Sequence, residues 1–165
     1  MTEQQLFNHT REQLTAQGFN VVSSDEERPW GGFFVIDESQ ASRFIEAYFP
    51  TLSPADFSGF GKLSPKILLV KPGKRLSWQY HHRRSEIWRV LQGPVGVVKS
   101  PDDTERPMLE VAEGDIVKME KGERHRLVGL DNWGVLAEIW QHTDPLNPSN
   151  EDDIVRVQDD FGRQS

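Results

Sequence analysis

Two clusters of side chains stand at spacings that could build a metal centre. Gly73 is followed by five residues and Gln79, one residue and His81, four residues and Glu86, then six residues and Gly93; farther on, Gly114 is followed by ten residues and His125. In an extended strand, residues two apart project from one face, so Gln79 and His81 would present an amide oxygen and an imidazole side by side. Glu86 from the next strand and His125 from a third would close the shell. Two imidazoles, a carboxylate and a neutral amide suit Zn, Mn, Fe, Co or Ni, with one Zn per chain as the first expectation, and they offer too few oxygens for Ca. The chain has no cysteine, which removes thiolate ligands, disulfides and a cysteine nucleophile from the chemistry.

Such a shell needs several strands to hold it, and the sequence supplies them. Thr2-x-x-Gln5 opens a helix over residues 2–17 that closes at Gly18. A short strand over 20–23, the charged run 25–28 and Pro29-Trp30-Gly31-Gly32 lead to a strand at 33–36. A second helix is capped by Asp37 or Ser39, carries Phe44, Ile45, Tyr48 and Phe49 at helical spacing, and stops at Pro50. Residues 51–65 read as a loop. Short apolar segments then recur at 66–71, 86–92, 95–99, 108–111, 115–120, 124–128 and 135–141, each ended by Gly, Pro or a polar residue, and a last alternating stretch covers 152–161. So many short strands imply an antiparallel sandwich or barrel. The expectation is a mainly β chain: a small barrel over 61–165 with a C-terminal docking strand, and a two-helix extension with a short strand over 1–60 packed on it, forming one structural domain.

At 165 residues and 36% hydrophobic composition, the chain can fill one core but not two independent ones, which excludes a large multidomain enzyme. With no long apolar run and no signal-like N-terminus, a soluble, cytoplasmic protein is expected, with no membrane partner. A net charge of -7 argues against nucleic acid as a partner. Its distribution is uneven: residues 62–99 hold nine bases and one acid, whereas residues 1–60 hold three bases and nine acids. A locally basic middle in an acidic protein suits a small anionic ligand. A homodimer formed through edge strands or a swapped terminal segment is expected.

The spacing of the two clusters resembles that of the cupin superfamily, Gly-x5-His-x-His-x3,4-Glu-x6-Gly and Gly-x5-Pro-x-Gly-x2-His-x3-Asn. Gln79 replaces the first histidine, Glu120 the proline and Gly129 the asparagine. A narrower resemblance lies in PGKRLSWQYHHRRSEIW at 72–88, which is similar to the type II phosphomannose isomerase signature PGxxLSxQxHHHRxExW, with Arg83 in place of a third histidine. His125-Arg126, RPWG at 28–31, EDDIVR at 151–156 and DDFGR at 159–163 also resemble segments of that family, with Phe161 in place of Tyr.

The resemblance implies a cupin, a double-stranded β-helix of jelly-roll type, that interconverts mannose 6-phosphate and fructose 6-phosphate. In longer members the cupin follows a nucleotidyltransferase domain, for which these 165 residues have no room, so the isomerase half alone is expected. The metal on Gln79, His81, Glu86 and His125 would act as Lewis acid, with Glu138 as the base. Arg156 is the first choice for a cation that meets phosphate or an enediolate; Arg28, Lys66 and Arg126 are further substrate contacts, and Trp88 shares the parity of Glu86 and would line the cavity. Trp78, Trp133 and Trp140 are expected to pack, His82 to face away from the ligands, and His9 and His142 to lie outside the site. Two other functions fit the same residues: a noncatalytic sugar-phosphate or sugar-nucleotide binding module, and an iron-dependent dioxygenase.

Overall fold

A computed structural model of the chain describes residues 2–163. Helix α1 (Glu3–Ala16) starts from the expected reciprocal cap, in which the Thr2 hydroxyl accepts from the Gln5 N–H and the Gln5 side chain accepts from the Thr2 N–H. Its buried face is Leu6, Phe7, Thr10 and Leu14. Strands β1 (Val21–Arg28) and β2 (Gly31–Ile36) form a hairpin. β1 runs past the expected 20–23 and takes in the charged residues 25–28. It is an edge strand with no buried side chain, so backbone pairing rather than hydrophobic alternation sustains it. Helix α2 (Ala41–Tyr48) begins later than its cap, because a single 3-10 turn at Glu38–Gln40 intervenes with Asp37 capping Ser39. The loop that follows is tied down by Glu38, whose carboxylate accepts from the N–H groups of Leu63 and Ser64 at 2.8 and 2.9 Å.

Nine further strands complete the fold: β3 (Lys66–Val70), β4 (Trp78–Tyr80), β5 (Arg84–Gln92), β6 (Val95–Ser100), β7 (Leu109–Val111), β8 (Ile116–Met119), β9 (Arg124–Val128), β10 (Gly134–His142) and β11 (Val155–Gln158). They form two antiparallel sheets ordered β1-β2-β3-β10-β5-β8 and β11-β4-β9-β6-β7. The seven strands expected between residues 66 and 141 are all present, with ends shifted by at most two residues; β4 is the extended segment expected around Gln79 but stops before His81, and the stretch 152–161 shortens to β11. β1 and β2 precede residue 61 yet continue the barrel's own ladder through β3.

The larger sheet is covered on both faces. Outward-pointing Ile67, Leu69, Ile87, Ala137 and Ile139 pack with Phe7, Leu14, Phe34 and Phe44 beneath the helices. Inward-pointing Leu68, Val70, Trp88, Val90 and Leu136 meet Leu127 and Val97 of the smaller sheet. This two-sided burial is why β3 reads as an unbroken apolar run after Lys66. Among the described residues, no helix is long and apolar enough to cross a membrane.

Gly129, at the position where the second spacing pattern has asparagine, lies against backbone: a Cβ there would overlap the carbonyl of Lys71. Gly129 and Lys74 are also joined through the Gly129 N–H and the Lys74 carbonyl at 2.7 Å, so neither segment can retreat freely. Gly129→Ala is therefore expected to cost about 2 kcal/mol or more, read as a lowered urea midpoint. An unchanged midpoint would show that the loop gives way.

Candidate metal centre

The inward parity of the strands brings the site together at one end of the barrel. Gln79 on β4 stands opposite His125 on β9 in the ladder, His81 follows β4, and Glu86 lies on β5. All four are buried, with 7% or less of each exposed. One donor atom from each of His81, Glu86 and His125 lies within 4.8 Å of the others. Glu86 Oε2 is 2.9 Å from His125 Nε2 and 3.6 Å from His81 Nε2.

The imidazoles are oriented for ligation. His81 Nδ1 is 2.7 Å from the Asp153 carbonyl and His125 Nδ1 is 3.0 Å from that of Glu123. A carbonyl only accepts, so each Nδ1 carries the proton, and in the neutral ring Nε2 offers its lone pair to the centre. Burial, with the nearby Arg84 and His125 adding to it against Glu86, pushes the His81 pKa down to about 3, which keeps it neutral. Burial would raise the Glu86 carboxyl, but the Arg84 guanidinium overrides it and holds Glu86 ionised, well below the usual carboxylate range. Glu86 Oε2 and His125 Nε2 are both buried without a hydrogen-bond partner. Two buried acceptor atoms 2.9 Å apart, neither with a hydrogen-bond partner, form a donor set that would suit a divalent cation, so the residues fit a metal.

Beside this centre lies a cavity of about 80 Å³. Of the side chains expected to meet substrate, Arg28, Lys66, Trp88, Glu138 and Arg156 line it. Arg126 is a correction: neighbouring residues on a strand face opposite ways, and with His125 turned inward Arg126 points out of the barrel. Its guanidinium donates to the Leu76 carbonyl and pairs with Glu105 and Gln158. Glu138 is clamped by two indoles, Trp88 Nε1 donating to Oε2 at 2.7 Å and Trp140 Nε1 to Oε1 at 3.0 Å. Burial, reinforced by the Glu86 charge, pushes the Glu138 pKa up to about 8 despite Lys66 and Arg84. Trp140, expected only to pack, therefore also borders the site, with the Lys66 ammonium 3.3 Å from its ring centre.

Arg84 was missed. Its Nη2 donates to His81 Nε2 at 3.2 Å, its Nε lies 3.5 Å from Glu86 Oε1, and its guanidinium stacks on Trp140. The signal was present in the sequence, since residue 84 shares strand parity with Glu86. Arg163 and Glu151 also line the cavity, and Glu151 pairs with Lys66 at 2.8 Å. His82 is exposed and faces away as expected, and His9 is exposed.

His142 lies outside the ligand set but is buried. It accepts from the Ser149 N–H at Nδ1, and its Nε2 faces Ser64 Oγ at 2.8 Å. Burial, with Lys62, Arg84 and Lys66, pushes its pKa down to about 4. The unfolded chain protonates this ring near 6.5 and the folded chain only near 4, so the unfolded state binds more protons between those values. The melting temperature of chelator-treated protein is expected to fall as pH drops from 6.5 towards 4, with His81 acting in the same direction; a flat profile over that window would contradict this.

Residues 46–159 match the family described as mannose-6-phosphate isomerase C-terminal. The xanthan biosynthesis protein XanB of Xanthomonas campestris is 30% identical over 82% of this chain and 23% of its own length. The alginate biosynthesis protein AlgA of Pseudomonas aeruginosa is 29% identical over 94% of this chain and 27% of its own. The chain thus spans about a quarter of these relatives. Among solved structures, vicilin from hazelnut, Corylus avellana, superposes with a TM-score of 0.55 at 17% identity, covering 81% of this chain and 35% of that one. The fold is that of a cupin.

Proposed function

The chain belongs to the mannose-6-phosphate isomerase C-terminal family, and from that membership and the buried donor set we propose that it interconverts mannose 6-phosphate and fructose 6-phosphate. The observation that carries the reading is the pair of facing acceptors, Glu86 Oε2 and His125 Nε2, beside a cavity lined with cations. Gln79, His81, Glu86 and His125 would hold a divalent metal, with Zn the first candidate, and the metal when bound would supply Lewis-acid stabilisation of charge developing on the sugar oxygens.

The remaining chemistry falls to the chain. Glu138 accepts the proton from C2 of the open-chain aldose as O1 gains a proton, leaving an enediol, and returns it to C1 as the O2 proton leaves, which gives the ketose. The two indole N–H groups fix the plane of its carboxylate. Burial raises its pKa to about 8, well above the ordinary carboxylate range. Arg28, Lys66, Arg84 and Arg156 supply the positive lining that holds the phosphorylated sugar.

The test is metal analysis of the purified protein together with a mannose 6-phosphate to fructose 6-phosphate assay, before and after chelation and metal add-back. Chelator-sensitive turnover supports the reading. Bound metal without turnover of this sugar would favour the binding module, and turnover that survives complete metal removal would refute the mechanism.

Arg84→Met is expected to raise KM for the sugar phosphate by about tenfold or more, since a charged, stacked donor at the cavity wall is lost. An unchanged KM would leave Arg84 with only its role beside Glu86.

A further inference from the structure

The two histidines are oriented by different parts of the chain. His125 donates to Glu123, two residues away on its own hairpin, whereas His81 donates to Asp153, seventy-two residues later in the tail that leads into β11. We propose that Asp153 is a positioning residue for the metal centre and that docking of the tail and metal binding are one coupled equilibrium. The proposal rests on the metal reading above.

Asp153 is built as an anchor. Its side chain is fully buried, Oδ1 accepts from the His82 N–H at 2.9 Å and Oδ2 from the Arg83 N–H at 3.0 Å, and the Ser149 hydroxyl donates to Oδ2 at 2.6 Å. The carboxylate thereby grips the turn that follows His81, while the carbonyl of the same residue fixes the His81 ring. Side chain and backbone act on consecutive residues, so the tail cannot shift without turning the imidazole.

Three residues on, Arg156 pairs with Gln79 in the β11–β4 ladder and lines the cavity. One docking event therefore sets a ligand histidine, the strand of a second ligand and a substrate-facing cation. Linkage is reciprocal: if the docked tail raises metal affinity, bound metal must hold the tail down by the same factor.

Wild-type protein is titrated with Co(II) against a chelator, with the cobalt absorption spectrum as a second readout, and hydrogen exchange is followed with and without metal. Metal is expected to slow exchange at the His82 and Arg83 amides and along residues 155–158. Asp153→Ala is expected to weaken Co(II) binding about 10–100-fold and to alter the cobalt spectrum. Asp153→Asn, which keeps an acceptor, should recover part of the loss. Should Asp153→Ala not fold, Ser149→Ala removes the hydroxyl donor and should move affinity the same way by less. A merely structural tail predicts lower thermal stability with wild-type cobalt affinity, spectrum and metal-independent exchange, and that result overturns the proposal while leaving the metal centre intact. Failure of the wild-type protein to bind Co(II), Zn or Mn at all overturns both.

Discussion

In His125→Ala, bound metal and isomerase turnover are expected to fall together, affinity by on the order of a hundredfold or more and turnover by on the order of a thousandfold. The physical reason is specific to this position. His125 Nε2 is the donor nearest to Glu86, its ring is held by the Glu123 carbonyl, and it sits edge-on to Trp88 with ring centres 5.7 Å apart. Alanine removes the ligand and leaves a gap that the strand ladder cannot close, because β9 is fixed by five paired positions against β6. His81→Ala should behave alike. Equilibrium dialysis with metal analysis, run beside the coupled assay, checks both. Stoichiometric metal in His125→Ala would remove this residue from the ligand set.

Glu138→Gln separates proton transfer from metal binding. The amide keeps the size of the carboxylate and one acceptor for the two indoles, but it cannot take a proton from carbon. Turnover is expected to drop by about 10²–10⁴-fold with metal content unchanged. The pH dependence has a definite sign. Burial raises the pKa of this carboxyl to about 8 in the metal-free protein, so its basic form grows as pH rises through that value, and a nearby cation would shift the limb lower. The wild-type rate should climb with pH along this limb, and Glu138→Gln should abolish it. The same raised pKa makes stability depend on pH: the folded chain binds the extra proton between about 4.5 and 8, so the stability present below 4.5 is lost as pH rises towards 8. Glu138→Gln should therefore flatten the alkaline side of the melting curve. A rate limb that survives the substitution would assign the base elsewhere.

The parts of this molecule written in local pattern could be read directly. Gln79 and His81 share a strand face, short apolar segments alternate with glycine and proline, and the N-terminal capping box is a four-residue signal. Contacts made by distant segments left fainter traces. Nothing around residue 81 announces that its ring is held by residue 153, and Asp153 reads in sequence as one acid in an acidic tail. β1 was underestimated because charged residues at a sheet edge satisfy pairing without any hydrophobic rhythm. Arg126 follows His125 in a His-Arg pair, but strict alternation along β9 sends the two to opposite sides. Arg84 was overlooked beside Arg83, although the same alternation places it with Glu86.

The closeness of Arg84 to His81 and Glu86 bears on how a cell would equip this protein. The guanidinium supplies positive charge beside the carboxylate from within the chain, and two apolar cores flank the larger sheet. The barrel is thus expected to reach its shape before a cofactor arrives, unlike small zinc domains that stay unfolded until loaded. Acquisition then happens on a finished scaffold, after synthesis, and can be reversed without unfolding. Which ion such a scaffold would take follows the available supply weighted by intrinsic affinity, so the metal recovered with the protein is expected to vary with the growth medium.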